Sequence, residues 1–313
     1  MIFLDSKFIS IVDDIRTLRI QGATNIAIQG VKAFASLGER IQVQSLDQYF
    51  KTLEEAQKML AEARATEPAL RNGLRYVLYK LRKNASSQTE AKQLINLYAE
   101  EYVQLLKDSK RKVITYGAQR IRDGSVIMTH CHSSMSTGIL LRAFEQGKNI
   151  RVFCTETRPL YQGHITAREL IEAGIDATMV VDSAMRWVLN KENIDMIITG
   201  ADAITSQGTA INKIGTRLLA LAAREMDIPF YTATTLFKYD PETSIGKLTE
   251  IEMRSPAEIW PEAPKGLKIL NPAFETVSHD LIDGLITEEG IFSPSLVYSI
   301  VKERYPWMLI HIE

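Results

Sequence analysis

The spacing of apolar residues along this chain changes once, near residue 115. Before that point Phe8, Ile11, Val12, Ile15 and Leu18 recur at the three- and four-residue steps of an amphipathic helix. Leu70, Leu74, Val77, Leu78 and Leu81 repeat the pattern, and Leu94, Ile95, Tyr98, Tyr102, Leu105 and Leu106 repeat it again. Pro68 stands just ahead of the second run, where a missing N–H is harmless. Residues 1–115 therefore read as a helical bundle.

After it come short β-rich runs: SVIMT (125–129), IRVFCT (150–155), ATMVV (177–181), DMIIT (195–199) and IPFYTA (228–233). Helical stretches such as TARELIEAG and GTRLLALAAREMD separate them, with Gly147 and Gly174 where helix C-caps belong. Continuous apolar strands alternating with helices predict a parallel sheet covered on both faces. The expected fold is α/β: an N-terminal helical bundle over 1–115, then a doubly wound, mainly parallel Rossmann-like domain over 116–313. Such sheets bind ligands just beyond the carboxyl ends of their strands. Those ends carry Cys131, ETRP (156–159), DS (182–183), GAD (200–202) and TTLFK (234–238). Asp182-Ser183 reads as a helix N-cap, while the other four put polar groups where a site belongs.

Composition narrows the function classes. Lys and Arg number 37 against 38 Asp and Glu, a net charge of -1, which excludes a binder driven by neutralising nucleic-acid phosphates. No apolar run reaches the length of a membrane span. The opening MIFLDSKFIS sets Asp5 and Lys7 inside its only apolar cluster, against a signal peptide. Two cysteines, Cys131 and Cys154, make no disulfide framework, and the chain reads as cytoplasmic with reduced thiols.

The densest chemistry is THCHSS (129–134). A metal reading of His130, Cys131 and His132 is weak, because alternate residues of a strand face opposite ways and no second ligand pair exists. Two readings of Cys131 stay open: a small buried hydrophobe, or a reactive thiol whose pKa is lowered by the following helix N-terminus. Asp202 is either a turn residue or a general acid in an apolar recess. Asn212 and Lys213 read as the opening of a helix, where a cation suits a bound anion nearby. Lys238 gives a weaker signal, and Arg64 and Arg71 read as surface charges.

Together MTHCHSS, TETRPLYQGHITAREL, VVDSA, GADAI, INKIGT, KLTEIEMRSP and NPAFETV resemble the archaeal ribose-1,5-bisphosphate isomerases. These share a superfamily with methylthioribose-1-phosphate isomerases and the regulatory α, β and δ subunits of translation initiation factor 2B. The resemblance implies Cys131 and Asp202 as catalytic residues. It implies Ser133, Ser134, Met135, Asn212, Lys213, Lys238, Arg64 and the segment Gln21, Gly22, Ala23 and Thr24 as substrate-binding residues. It further implies a sugar-bisphosphate substrate within nucleoside monophosphate degradation and no metal or organic cofactor. A nucleotide effector such as AMP, and a homo-oligomer built as a dimer or a trimer of dimers, are also implied. One departure stands out: Gln21 occupies the place of the family's Arg-Gly-Ala arginine, so a neutral amide replaces a guanidinium fork. The alternatives are a non-catalytic sugar-phosphate or nucleotide sensor and a methylthioribose-1-phosphate isomerase.

Overall fold

The computed structural model describes residues 5–64, 66–247 and 251–310. The first four residues of MIFLDSKFIS and residues 248–250 of KLTEIEMRSP lie outside it. The chain forms two compact units.

The first unit takes residues 5–108 together with two returning segments, 237–247 and 300–310. Its helices are α1 (Ser6–Arg16), α2 (Ala23–Arg40), α3 (Leu46–Ala63), α4 (Pro68–Asn84) and the first part of α5 (Gln88–Arg120). The predicted faces pack inward: Phe8, Val12 and Ile15 of α1 and Leu70, Leu74, Val77, Leu78 and Leu81 of α4 are all buried. Leu18 falls past the end of α1, at φ 63°. Asn72 ties the first return to α4, its amide donating to the carbonyls of Phe237 (2.9 Å) and Tyr239 (2.8 Å). Trp307 of the second return meets Tyr76 edge-on at 5.0 Å. Helix α5 runs for 33 residues and passes from one unit into the other. Its end is closed by Lys148, whose ammonium donates to the carbonyls of Ala118 (2.6 Å) and Ile121 (2.7 Å).

The second unit is the doubly wound domain. Its strands are β1 (Val126–Thr129), β2 (Arg151–Thr155), β3 (Asp176–Val180), β4 (Met196–Gly200), β5 (Ala203–Ile204), β6 (Ala210–Lys213), β7 (Phe230–Ala233), β8 (Phe274–Val277), β9 (Gly284–Thr287) and β10 (Gly290–Phe292). Between them lie α6 (Ser136–Glu145), α7 (Gln162–Glu172), α8 (Met185–Lys191) and α9 (Thr216–Glu225), and α10 (Val297–Arg304) begins here and continues into the second return of the first unit. Seven strands form a sheet in the order β10-β9-β7-β4-β1-β2-β3, parallel except for β10. Ile127, Met196 and Ile198 of the sheet pack with Ile139 and Leu140 of α6 and Leu170 of α7 in one core. The sequence predicted burial on both faces throughout. Strand β3 departs from this, with Asp176, Thr178 and Met179 turned out, because it forms the sheet's edge.

The strand order reverses at β1. The chain builds outward through β2 and β3, then returns to lay β4 on the other side of β1, in register at Ile127–Met196 and Met128–Ile197. A crevice at such a switch point is where doubly wound sheets bind ligands. The turns leaving β1 and β4 carry Cys131 and Asp202. A small antiparallel sheet, β5-β6-β8, follows the GAD turn. It corrects one expectation: Asn212 and Lys213 end strand β6 instead of opening a helix.

Candidate active site

The site is built from β1 outward. His130 is buried just past the strand, and its ring joins two loops. Nε2 lies 2.9 Å from the Ile214 carbonyl, which can only accept, so Nε2 carries the proton. Nδ1 then accepts from the Thr155 hydroxyl at 2.6 Å. Burial holds the imidazole below its ordinary range, against the pull of the Ile214 carbonyl and the Asp182 carboxylate, and a neutral ring suits these partners. The ring sits on Gly215, at φ +103°, where an added Cβ would come 2.8 Å from it. The glycine of INKIGT is therefore required by the histidine of THCHSS.

Cys131 follows at φ +67°, with its N–H donating to Thr157 Oγ1 (2.9 Å) and its carbonyl accepting from Thr166 Oγ1 (3.0 Å). The sequence left open a small buried hydrophobe and a thiol acidified by the following helix; burial governs the thiol here. Burial pushes the Cys131 thiol up to about 12, outweighing the Lys213 ammonium and the His132 N–H that draw it down, while the carboxylates of Asp202 and Asp182 raise it further. Helix α6 begins at Ser136, five residues on. These opposing influences place the Cys131 thiol, Lys213 and Asp202 in one electrostatic neighbourhood. Cys154 is sealed within β2, its thiol pushed up to about 11 by burial alone. Cys131 is partly exposed, so despite its higher thiol value iodoacetamide should label it well before Cys154, at a rate climbing about tenfold per pH unit between roughly pH 7 and 10. A plateau below pH 9 would show that burial does not govern this thiol.

The turn from Ser133 into α6 supplies N–H groups. Ser133 Oγ accepts from the N–H of Met135 (3.3 Å) and Ser136 (3.4 Å), Ser134 is exposed, and Met135 is buried. Thr137, in the first helical turn, is buried with a hydroxyl that has no protein partner. An added Cβ on Gly200 would come within 2.6 Å of the Ser133 side chain. The glycine of GAD thus lets the β1 and β4 turns close on each other. Asp202 is half-buried beyond it, and its N–H donates to the Ile211 carbonyl at 2.8 Å, tying the GAD turn to β6.

On β6, Asn212 donates to Thr216 Oγ1 at 3.0 Å. Lys213 is buried, with its ammonium 4.8 Å from the centre of the Phe274 ring. The anion expected at the α9 N-terminus is the protein's own: Glu275 accepts from the N–H of Gly215 (2.6 Å) and Arg217 (3.0 Å). The Lys213 charge bears on the Cys131 thiol, drawing it down.

Asp182 does more than the sequence suggested. It caps no helix of its own and instead accepts from the N–H of Thr157 (2.8 Å) and Arg158 (2.7 Å). Arg158 donates to the Ile259 carbonyl at 3.0 Å and to the Tyr161 hydroxyl at 2.6 Å. His132 faces α7, with Nδ1 3.1 Å from Thr166 Oγ1.

The other residues singled out from the sequence belong to the helical unit. Gln21 is exposed, its amide donating to the Leu18 carbonyl at 2.8 Å, and Gly22 turns at φ +83° into Ala23 and Thr24 at the start of α2. Arg64 and Arg71 are not surface charges. Arg64 is largely enclosed, 3.7 Å from the Glu67 carboxylate, and Arg71 forms an enclosed 2.7 Å ion pair with Asp240. Lys238 is buried two residues before Asp240.

A sequence profile of the Initiation factor 2 subunit family matches residues 19–294. The chain belongs to that family. It is 40% identical to a protein named ribose 1,5-bisphosphate isomerase in Thermococcus kodakarensis, over 98% of this chain and 97% of that one. It is 33% identical to a methylthioribose-1-phosphate isomerase of Thermotoga petrophila, over 92% of this chain and 87% of that one. Among solved structures, the translation initiation factor eIF-2B of Pyrococcus horikoshii superposes with a TM-score of 0.79 at 29% identity, covering 93% of this chain and 98% of that one. The residues that sequence reasoning missed, Thr155, Thr157, Thr166 and Glu275, act through hydrogen bonds across the fold, and no local pattern signals them.

Proposed function

We propose that this family member is an aldose–ketose isomerase that converts α-D-ribose 1,5-bisphosphate to D-ribulose 1,5-bisphosphate through a phosphoenolate, with Cys131 and Asp202 as its proton-transfer pair. The carrying observation is that these residues leave neighbouring strands at the topological switch point and that the Asp202 carboxylate raises the Cys131 thiol. The anomeric oxygen of the substrate bears phosphate, so the ring cannot open by simple hemiacetal reversal. In the reacting state Cys131 serves as thiolate base and Asp202 as carboxylic acid. The thiolate takes the C2 proton, the C2–H pair becomes the C1=C2 double bond, and the C1–ring-oxygen bond breaks as Asp202 protonates that oxygen. The thiol then returns a proton to C1 while Asp202 takes the C2 hydroxyl proton, leaving the ketone and restoring both side chains.

The resemblance assigns Arg64, Lys213, Lys238, Asn212, the turn at Ser133, Ser134 and Met135, and Gln21 to Thr24 to the two phosphates. Three cations exceed what one phosphate needs, and each charge-assisted bond to the second is worth roughly 1.5–3 kcal/mol. Methylthioribose-1-phosphate and ribose-1-phosphate should accordingly react at least ~100-fold less efficiently than the bisphosphate. Lys238→Ala should erode the advantage of the bisphosphate. Comparing kcat/KM across the three sugars tests the proposal, and equal efficiency on methylthioribose-1-phosphate would hand the site to the rival isomerase.

A second reading, a sensor that binds sugar phosphate or a nucleotide such as AMP without turnover, is favoured by one feature. The Gln21 amide is engaged with its own turn at Leu18. Substrate accumulating unchanged while bound would select it. The proposal also includes a cytoplasmic setting, because a doubly phosphorylated sugar does not cross membranes unaided. Among the described residues no helix is long and apolar enough to span one. A homo-oligomer, a dimer or trimer of dimers, is supported by exposed Val181, Trp187, Leu218 and Leu221, and light scattering reads it directly.

A further inference from the structure

Two residues at the heart of the site have a backbone conformation that disfavours them. Cys131 stands at φ +67° and Thr157 at φ +62°. A β-branched residue in the left-handed region is a genuine outlier, since its Cβ crowds the neighbouring carbonyl. Such conformations persist only where the surroundings over-determine them. Here the surroundings do so. The Asp182 carboxylate accepts the N–H of Thr157 at 2.8 Å and of Arg158 at 2.7 Å, fixing the loop after β2. Thr157 Oγ1 in turn accepts the Cys131 N–H at 2.9 Å.

The direction of the hydrogen bonds defines the rest. With Nε2 of His130 donating to Ile214, Nδ1 must accept from Thr155, so the Thr155 hydroxyl is an acceptor toward Thr157 Oγ1 at 3.1 Å. Thr157 therefore accepts from the Cys131 backbone and donates to Thr155, in one continuous chain. Threonine 157 is fully buried. Glycine would adopt φ +62° without strain, but it lacks the hydroxyl that this chain requires.

We infer that Thr157, anchored by Asp182, is the positioning residue for the Cys131 thiol. The hydroxyl holds the left-handed turn that aims sulfur at the substrate, and the strain in Thr157 is the consequence of placing that hydroxyl there. The inference rests on the proposed role of Cys131, and its test separates the two. Thr157→Val keeps the shape and the strained backbone but removes the hydroxyl; Thr157→Ser keeps the hydroxyl; Thr157→Gly relieves the strain and removes it. The expected result is a kcat at least tenfold lower in Thr157→Val and Thr157→Gly, with KM for ribose 1,5-bisphosphate within about twofold of wild type. Thr157→Ser should restore most of kcat. The iodoacetamide rate at Cys131, measured in folded protein without substrate, should change in the valine and glycine variants and return toward wild type in the serine variant. Wild-type kcat and Cys131 labelling in Thr157→Gly, or a serine variant no better than valine, would overturn the inference. If the wild type turns over no sugar, the functional reading fails, and the labelling pattern still decides whether Thr157 positions the thiol.

Discussion

Replacing Asp202 by asparagine should speed the alkylation of Cys131 and at the same time abolish turnover. The two effects share one cause. The Asp202 carboxylate is among the groups that raise the Cys131 thiol, so removing its charge lowers the thiol and enlarges the thiolate fraction at any pH below about 12. An amide keeps the shape and the backbone N–H bond to Ile211 at 2.8 Å, so the GAD turn and β6 stay joined. What it cannot do is deliver a proton to the ring oxygen. Turnover should fall by ~10²–10⁴-fold, the range for a lost general acid, with substrate affinity little changed. Pre-steady-state kinetics, a binding isotherm and an iodoacetamide time course measure the three quantities. Slower labelling with turnover intact would mean that Asp202 neither faces the thiol nor donates a proton.

Cys131→Ser should cost activity on the same scale, ~10²–10⁴-fold, for the opposite reason: the acid remains and the base is lost. A serine hydroxyl is far weaker than a thiol as an acid, and burial opposes its ionisation as it opposes that of the thiol. The left-handed turn is held by Thr157 and Thr166 through the backbone, so the substitution leaves these bonds in place. The melting temperature should stay within a few degrees of wild type, and the bisphosphate should still bind. Turnover within tenfold of wild type would assign the base to another residue.

The sequence announced the fold where pattern and packing coincide. On α4, Leu70, Leu74, Val77, Leu78 and Leu81 are spaced for a helix and all lie inside. The apolar runs of β1, β2, β4 and β7 are buried on both sides, as an interior parallel strand must be. The same reasoning misjudged β3, because its edge position is a property of the whole sheet. The sheet β5-β6-β8 left no trace: β5 has two residues, and β8, which pairs with β6, lies far along the chain. Cys131 and Asp202 were legible because polar residues following apolar strands are conspicuous. The thiol's direction of shift was not legible, since burial and the approach of Lys213 and Asp202 arise only from tertiary structure. Asp182 shows the same limit. Its position after β3 suggested a helix cap, whereas it reaches across to the loop after β2.

Everything proposed for the site depends on one conversion. Purified wild-type protein mixed with α-D-ribose 1,5-bisphosphate and followed by phosphorus and carbon NMR should lose the anomeric phosphate signal and gain the C2 ketone of ribulose 1,5-bisphosphate, catalytically and without added metal or organic cofactor. A sugar that binds and remains unchanged, its anomeric phosphate intact, would contradict the isomerase and leave a binding protein in its place.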